Sequence, residues 1–253
     1  MNPNAALAVE AERDLAEPGL MTDLMTLTKA RLSLLVIITT CVGYCLGSKG
    51  SFSWLGLFNA TLGTALAAGG AGALNQWLEM HVDSLMERTK SRPLPAGRMS
   101  PSMALGIGSG LSALGSAWLA FTCNATSAWL AVATVLTYIA LYTPLKRRTS
   151  LCTIIGAISG AIPPMSGWTA ASPNFELGTW VLFGVLFTWQ MPHFLAIAWL
   201  YRDEYAEAGF VMLRPSDRTG GSTARESLGF TLALVAITMI PFWSGLLTDS
   251  YLS

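Results

Sequence analysis

Seven long apolar segments dominate the sequence and restrict the folds that it can adopt. They cover residues 32–48, 55–78, 102–122, 126–143, 151–171, 178–200 and 228–247. Each approaches or exceeds the ~20 residues that an α-helix needs to cross a bilayer. The composition agrees, since 52% of the 253 residues are hydrophobic and only 12% are charged. The sequence therefore predicts an all-α, polytopic membrane helix bundle with seven spans, in which Pro163-Pro164 should kink or break the fifth helix.

The basic residues are distributed unevenly over the connections between these segments. Of the 15 Lys and Arg residues, 14 precede the first segment or follow the second, fourth and sixth, and only Lys49 falls in the opposite set. Cytoplasmic loops of membrane proteins carry an excess of Lys and Arg. We therefore predict that the N-terminus and these three loops are cytoplasmic. The net charge of zero gives no reason to expect a nucleic acid partner.

Residues 1–27 differ from the rest of the chain in being acidic and lacking a long apolar run. Both properties argue against a signal peptide or a mitochondrial transit peptide. We interpret this segment as a cytoplasmic tail and residues 28–253 as one membrane domain. A multi-pass protein of the bacterial inner membrane is the expected setting.

Three polar residues at intervals of four close the second apolar segment. Asn75, Glu79 and Asp83 fall within an arc of about 80° on one helix face. Carboxylates at this depth are costly unless they hold a cation, and Mg²⁺ prefers oxygen ligands and substrate phosphates. Arg88 and Arg92 follow in a loop with two prolines and could contact phosphate oxygens. The pattern predicts a metal and diphosphate site, although Asp83 could simply meet lipid headgroups.

A second acidic pair has the same spacing and follows the sixth segment. Asp203 and Glu207 stand four residues apart beside Arg202, in a loop predicted to lie on the same side of the membrane. Two such clusters could each hold a Mg²⁺ on opposite sides of one diphosphate, with Lys146, at the end of the fourth segment, as a further diphosphate contact. The alternative is a solvated charged loop without a ligand.

His193 lies inside the sixth segment, after Trp189-Gln190-Met191-Pro192. A single histidine in an apolar helix is more often a core residue with a local hydrogen-bond partner than a ligand. The nearby proline frees a backbone carbonyl that could serve as that partner. Iron ligation or acid–base chemistry is the other interpretation.

Several segments together resemble the UbiA-type intramembrane prenyltransferases and, among them, the branch that makes heme O. They are Asn75-x3-Glu79-x3-Asp83-x4-Arg88-Thr-x2-Arg92-Pro-Leu-Pro-x-Gly-Arg98, Tyr142-Thr-Pro-Leu-Lys146-Arg, Gly160-Ala-Ile-Pro-Pro-x-x-Gly167, and Trp189-Gln-x-Pro-His193-Phe continuing to Tyr205-x-x-Ala-Gly209-Phe-x-Met-Leu. The resemblance implies an all-helical fold with nine spans around a central cavity that opens toward the cytoplasm. On that pattern, the chain would lack the last two helices. Relatives usually carry aspartates in the second motif, whereas this chain has Asp203 and Glu207.

The resemblance also implies a reaction and its participants. Farnesyl would move from farnesyl diphosphate to a vinyl group of heme B (protoheme IX), giving heme O and diphosphate. Mg²⁺ would be the cofactor, and His193 is a candidate heme contact. The lipid bilayer would hold the enzyme, with heme A synthase or oxidase assembly factors as possible partners. The alternatives are prenylation of an aromatic quinone precursor, an ion-coupled transporter, and a heme-delivery subunit without catalytic activity.

The residues implied for each role lie in the two acidic motifs and in the motif that contains Lys146. Those implied for metal binding and catalysis are Asn75, Glu79, Asp83, Asp203 and Glu207. Those implied for diphosphate binding are Arg88, Arg92, Lys146 and Arg202.

Overall fold

A computed structural model describes residues 18–245 of the chain, which form helices and loops without any strand in that range. The helices are α1 (Leu20–Leu27), α2 (Ala30–Gly47), α3 (Trp54–Asp83), α4 (Pro101–Thr122), α5 (Ala125–Leu136), α6 (Cys152–Ala171), α7 (Leu177–Leu200), α8 (Arg202–Glu207), α9 (Gly221–Thr238) and α10 (Ile240–Trp243). Beyond α5 the chain continues through a π-helix, Thr137–Tyr142, and one further turn, Thr143–Leu145. The prediction of an all-α bundle is confirmed for the described residues.

Six of the helical segments are long and apolar enough to cross a membrane. These are α2, α3, α4, α5 extended to Leu145, α7, and α9 extended to Trp243. The predicted fifth segment also forms a helix, α6, which is largely buried and packs against α2, α5 and α7. It is not among the six, so the count of seven crossings stays a prediction. Helix α9 begins before the predicted residue 228, and residues 246–247 lie outside the described range.

Helices α2 and α6 approach each other through glycines. A Cβ atom added to Gly43 would collide with the Pro164 carbonyl, and one added to Gly167 would collide with the Thr40 carbonyl. Lipid provides no hydrophobic drive for helix association, so small residues allow the close contact that dispersion forces need. The Thr40 hydroxyl also donates to the Pro163 carbonyl at 3.4 Å. Helix α6 continues through both prolines without the predicted break. In membrane proteins, neighbouring helices can satisfy the backbone groups that a proline leaves unpaired.

Helix α1 covers part of the segment that the sequence indicated as a tail. Its Asp23 carboxylate is buried and accepts a bifurcated hydrogen bond from Arg98 Nε, at 3.1 and 3.2 Å, and a second bond from Arg98 Nη2, at 2.8 Å. Gln76 Nε2 donates to the carbonyls of Thr26 and Leu27 at 2.6 and 3.1 Å. These contacts hold α1 against α3 and the loop that follows it. The remainder of the predicted tail, residues 1–17, lies outside the described range.

Three loops meet at the end of the bundle where α3 terminates. Val82 and Met86 form an apolar cluster with Ala208 and Phe210, from the segment after α8. The backbone N–H of Val211 donates to the Lys146 carbonyl at 2.6 Å, which ties the loop after α5 to the same place. The loops after the second and sixth predicted segments are therefore in contact in the structure.

Candidate active site

A polar cavity of about 170 Å³ lies at the junction of these three loops. Cations, carboxylates and aromatic rings make up most of its wall. Its lining residues are Lys29, Glu79, Asp83, Met86, Arg88, Arg92, Tyr138, Tyr142, Lys146, Tyr205, Phe210 and Met212. Charged groups concentrated in a partly closed cavity interact more strongly than they would in bulk water.

Asn75 is fully buried one turn above Glu79 and has two side-chain partners. Its Oδ1 accepts a hydrogen bond of 2.5 Å from Lys29 Nζ, and its Nδ2 donates to the Thr143 hydroxyl at 3.0 Å. Lys29 Nζ also donates to the Tyr138 hydroxyl at 3.1 Å. Lys29 stands between α1 and α2 with a φ of 51°, a left-handed conformation that is uncommon for a lysine. This backbone bend directs a cation toward the face of α3 that carries Asn75.

Glu79 forms a buried ion pair with Lys146. The Lys146 ammonium donates to Glu79 Oε1 at 2.8 Å, and it lies 4.5 Å from the centre of the Tyr142 ring and 5.6 Å from that of Phe210. Burial alone would lower the pKa of the Lys146 ammonium, but Tyr142 and the Glu79 carboxylate raise that pKa above its ordinary value. Lys146 is therefore a cation at physiological pH, and its charge points into the cavity.

Asp83 ends α3 and has one satisfied oxygen and one unsatisfied oxygen. Arg92 Nη1 donates to its Oδ2 at 2.6 Å, while its Oδ1 is buried without a hydrogen-bond partner. The loop that carries Arg92 is fixed locally, because the Thr89 hydroxyl donates to the Asp83 carbonyl at 2.8 Å. A buried carboxylate oxygen without a donor is costly unless a cation binds it. This oxygen therefore fits a metal ligand.

Arg88 contacts the segment around α8. Its backbone N–H donates to Glu204 Oε1 at 3.2 Å, and its Nη2 donates to the Tyr205 hydroxyl at 3.3 Å. The guanidinium also lies 5.4 Å from the centre of the Tyr201 ring. These contacts orient an exposed arginine toward the cavity.

An apolar cavity of about 150 Å³ lies next to the polar one. The two cavities share Lys29 and Tyr138 in their walls. The apolar wall consists mainly of small and aliphatic side chains from α2, α3, α5, α6 and α7. A ligand with a charged head and a long apolar tail matches this combination of polar and apolar space.

The chain is similar to the members of one known protein family. The model of the UbiA prenyltransferase family matches residues 36–253. The chain belongs to this family. Among curated relatives, the protoheme IX farnesyltransferase of Solibacter usitatus (strain Ellin6076) is 41% identical over 241 residues, which cover 92% of this chain and 82% of the relative. The protoheme IX farnesyltransferase of Myxococcus xanthus (strain DK1622) is 41% identical over 227 residues, which cover 89% and 76%.

Solved structures of UbiA homologues share the fold at low identity. A homologue from Aeropyrum pernix K1 superposes with a TM-score of 0.71 at 19% identity, covering 92% of this chain and 82% of the homologue. A homologue from Archaeoglobus fulgidus, solved with GPP and Mg²⁺, gives a TM-score of 0.72 at 15% identity, covering 90% and 80%. The chain is thus a multi-pass membrane protein with the UbiA prenyltransferase fold.

The second acidic motif of this UbiA-family chain lies apart from the polar cavity. The Asp203 side chain is 84% exposed and has its own neighbour Arg202 as ion partner, at 3.6 Å. Glu207 is also exposed. Arg202 and Asp203 instead line a separate groove of about 420 Å³. Within residues 18–245 no group of three or more His, Cys, Asp or Glu side chains is arranged to hold a metal. The roles predicted for these three residues stay predictions.

His193 lies on the outer side of α7. It is exposed and stacks on Trp189, with ring centres 5.6 Å apart and an angle of 14° between the rings. Its neighbours Gln190 and Phe194 line the apolar cavity, whereas His193 lines neither cavity described above. A heme contact at His193 would therefore lie beside the bundle rather than inside it.

Two residues of the site were not identified as candidates from the sequence. In the sequence, Lys29 is only one of the basic residues that indicate topology, and no motif or spacing marks it as a site residue. Tyr138 lies in the π-helix Thr137–Tyr142, which no sequence pattern indicated. Such π-helical turns often occur at functional sites.

Proposed function

We propose that this prenyltransferase moves a farnesyl group from farnesyl diphosphate to a vinyl group of heme B, giving heme O and diphosphate for terminal oxidases. The observation that carries the proposal is a pair of cavities that share Lys29 and Tyr138 in their walls, one lined by Glu79, Asp83 and four cations, the other apolar. The names of the curated relatives support the choice of farnesyl and heme. Membership of a prenyltransferase family argues against an ion-coupled transporter.

The donor set of the polar cavity fits Mg²⁺. We propose that Glu79 and Asp83 hold the metal, with Asn75 beside them, because Asp83 Oδ1 is buried without a partner. Two carboxylates leave room in an octahedral shell for water and substrate phosphate, as is usual for this ion. When bound, Mg²⁺ would neutralise charge on the diphosphate as it departs. The A. fulgidus homologue solved with GPP and Mg²⁺ has the same fold and supports this assignment.

The cations of the cavity would bind the diphosphate and stabilise its departure. Lys146, Arg88 and Arg92 surround the carboxylates, and Lys29 lines both cavities. Preorganised donors of this kind stabilise charge that develops as a bond breaks. If α8 turns toward the cavity when substrate binds, Arg202 would join these cations, and Asp203 and Glu207 would contribute to metal binding.

The chemistry needs no protein nucleophile. The bond between farnesyl C1 and the diphosphate oxygen breaks, and the terminal vinyl carbon of heme B forms a bond to C1. Water then adds to the neighbouring vinyl-derived carbon, and a proton is released. The aromatic rings of Tyr138 and Tyr142, stacked at 5.3 Å, lie in the polar cavity wall, where their faces can stabilise positive charge.

The outer face of α7 is the proposed place for the porphyrin. His193 and Trp189 together present an imidazole and an indole on this face. Replacement of His193 by Ala should weaken heme binding, as measured by heme absorbance in a titration. His81, the second histidine of the chain, is exposed at the end of α3 and gives the matched control His81→Ala. Equal heme binding by both variants would remove His193 from the proposal.

The experiment for the whole reaction uses the purified protein in lipid vesicles with heme B, farnesyl diphosphate and Mg²⁺. Mass spectrometry should detect heme O, and Glu79→Gln should reduce its formation by roughly 100-fold or more. Glu87→Gln is the control, since Glu87 is exposed and pairs only with Lys90 in the described part of the chain. Prenylated 4-hydroxybenzoate in a parallel reaction, without heme O, would favour the quinone-precursor alternative. The absence of both products would refute the proposed function.

The membrane context is also a proposal beyond the multi-pass fold. The distribution of Lys and Arg supports a cytoplasmic N-terminus and a cytoplasmic polar cavity in a bacterial inner membrane. Heme A synthase or oxidase assembly factors would receive the product.

A further inference from the structure

Three residues of the segment after α5 face the polar cavity together. Tyr138, Tyr142 and Lys146 stand four residues apart, and all three belong to the cavity wall. The rings of the two tyrosines stack with their centres 5.3 Å apart, and the Lys146 ammonium lies 4.5 Å from the centre of the Tyr142 ring. The two aromatic rings and the ammonium therefore form one continuous row.

The π-helix Thr137–Tyr142 explains why this row is straight. An α-helix turns by about 100° per residue, so residues four apart are offset by about 40° around its axis. The wider i→i+5 ring of a π-helix turns by about 80° per residue, which offsets residues four apart by about 40° in the opposite sense. The π turn between Tyr138 and Tyr142 thus cancels the α turn between Tyr142 and Lys146. In an unbroken α-helix, Lys146 would stand about 80° away from Tyr138 around the axis.

Thr143 holds the π turn with two donors. Its backbone N–H and its hydroxyl both donate to the Tyr138 carbonyl, five residues earlier, the hydroxyl at 2.8 Å. In α-helices a threonine hydroxyl usually bonds to a carbonyl three or four residues earlier, as Thr134 does with Leu130 at 2.9 Å. The Thr143 side chain is buried, so water does not compete for this bond. The hydroxyl therefore stabilises the π register rather than the α register.

Asn75 supports the same hydroxyl from α3. Its Nδ2 donates to the Thr143 hydroxyl at 3.0 Å, so this hydroxyl both accepts and donates a hydrogen bond. Asn75 Oδ1 accepts from Lys29, whose ammonium also donates to the Tyr138 hydroxyl. A buried hydrogen-bond network whose members are satisfied is rigid. This network joins both ends of the π turn to α3 and to the residue before α2.

We propose that Thr143 is a positioning residue for prenyl transfer: by holding the π turn, its hydroxyl aligns Tyr138, Tyr142 and Lys146 toward the diphosphate. This inference rests on the proposed function, because it assumes that the diphosphate binds in the polar cavity. Thr143 lines neither cavity and therefore acts through these three side chains. Loss of the hydroxyl removes one of the two bonds that hold the turn, and relaxation toward the α register turns Lys146 away from the row.

The test measures binding of inorganic diphosphate and of farnesyl diphosphate in the presence of Mg²⁺, by calorimetry on the detergent-solubilised protein. Thr143→Val removes the hydroxyl at similar volume and should weaken the binding of both ligands roughly tenfold, about the effect of losing one hydrogen bond to a charged group. Thr143→Ser retains the hydroxyl and should bind both ligands as the wild type does. Thr169→Val is the matched control, since Thr169 is fully buried in α6, bonds to the Met165 carbonyl and lines neither cavity.

A double-mutant cycle with Lys146→Met distinguishes positioning from a loss of stability. If Thr143 acts through Lys146, Thr143→Val should weaken diphosphate binding much less in the Lys146→Met background than in the wild-type background. A purely structural role would lower the folded fraction in both backgrounds and leave the affinity of the folded protein unchanged. Thr143→Ala provides the same comparison if Thr143→Val does not elute as one folded species.

Three results would overturn the positioning role: equal affinities of the wild type and Thr143→Val, equal losses in Thr143→Val and Thr143→Ser, or additive losses in the cycle. The heme assay separates this inference from the proposed function. The expected affinities without any heme O would preserve the positioning role and refute the proposed acceptor. Failure of the wild type to bind either diphosphate would refute both.

Discussion

Replacement of Lys146 by Met tests whether Glu79 is a metal ligand whose carboxylate pairs with Lys146 before the substrate binds. The two side chains are 12% and 8% exposed and form an ion pair of 2.8 Å. Methionine preserves most of the volume and leaves the Glu79 carboxylate without its cation. Removal of one partner of a buried ion pair lowers the free energy of unfolding by about 3–5 kcal/mol. Water can enter the cavity of about 170 Å³, so we expect a lower cost, of about 1–3 kcal/mol.

Magnesium should compensate for this loss only in the variant. In the wild type the Lys146 ammonium already neutralises Glu79. Because Mg²⁺ must displace this ammonium, its binding adds little to the stability of the folded state. In Lys146→Met the carboxylate is free to bind the ion. A ligand at ten times its Kd stabilises the folded state by about 1.4 kcal/mol. For a chain of this size, that stabilisation raises Tm by about 3–6 °C.

Thermal unfolding in detergent, followed by tryptophan fluorescence over a series of Mg²⁺ concentrations, measures the difference. Lys146→Arg retains the charge and should respond to Mg²⁺ as the wild type does. Lys90→Met, at an exposed pair with Glu87, controls for loss of a surface lysine. Equal Mg²⁺ responses of the wild type and Lys146→Met would refute the reasoning, as would the absence of any response in the variant.

Three further changes test separate parts of the structure. Gly43→Ala places a methyl group against the Pro164 carbonyl and should destabilise the fold by about 1–3 kcal/mol in thermal unfolding, whereas Gly106→Ala, with open space around it, should not. Asp203→Asn and Glu207→Gln should each lower heme O formation by roughly tenfold if α8 turns inward; unchanged rates would limit the metal site to α3. Asp23→Asn removes the charge that Arg98 binds and should detach α1, seen as faster trypsin cleavage near Lys29; cleavage at the wild-type rate would contradict that role.

Helical periodicity explains why the first motif could be located from the sequence. Asn75, Glu79 and Asp83 belong to one regular helix, so their shared face follows from 3.6 residues per turn. The same reasoning predicted helices at all seven apolar segments, and helices are present there within the described residues. Local periodicity was sufficient because each of these features lies within one continuous element.

The partners of these residues depend on tertiary contacts, which periodicity does not contain. Lys29 donates a hydrogen bond to Asn75, which is 46 residues away in the sequence, and Lys146 donates one to Glu79, which is 67 residues away. Their approach requires a left-handed residue before α2 and a π-helix after α5, neither of which has a composition signal here. The spacing of Asp203 and Glu207 indicates that they share one helix face. It does not indicate whether that face of a short surface helix is directed toward the polar cavity or toward solvent.

The charge balance of the polar cavity suggests the order in which its ligands bind. Among the described residues of its wall, Lys29, Arg88, Arg92 and Lys146 supply four positive charges, and Glu79 and Asp83 supply two negative ones. The cavity is therefore positive, and both carboxylates already have cationic partners. Such a site attracts an anion before a divalent cation. We expect the diphosphate to draw the lysine and arginine groups toward its oxygens, which frees the carboxylates for Mg²⁺, so that metal and substrate bind cooperatively.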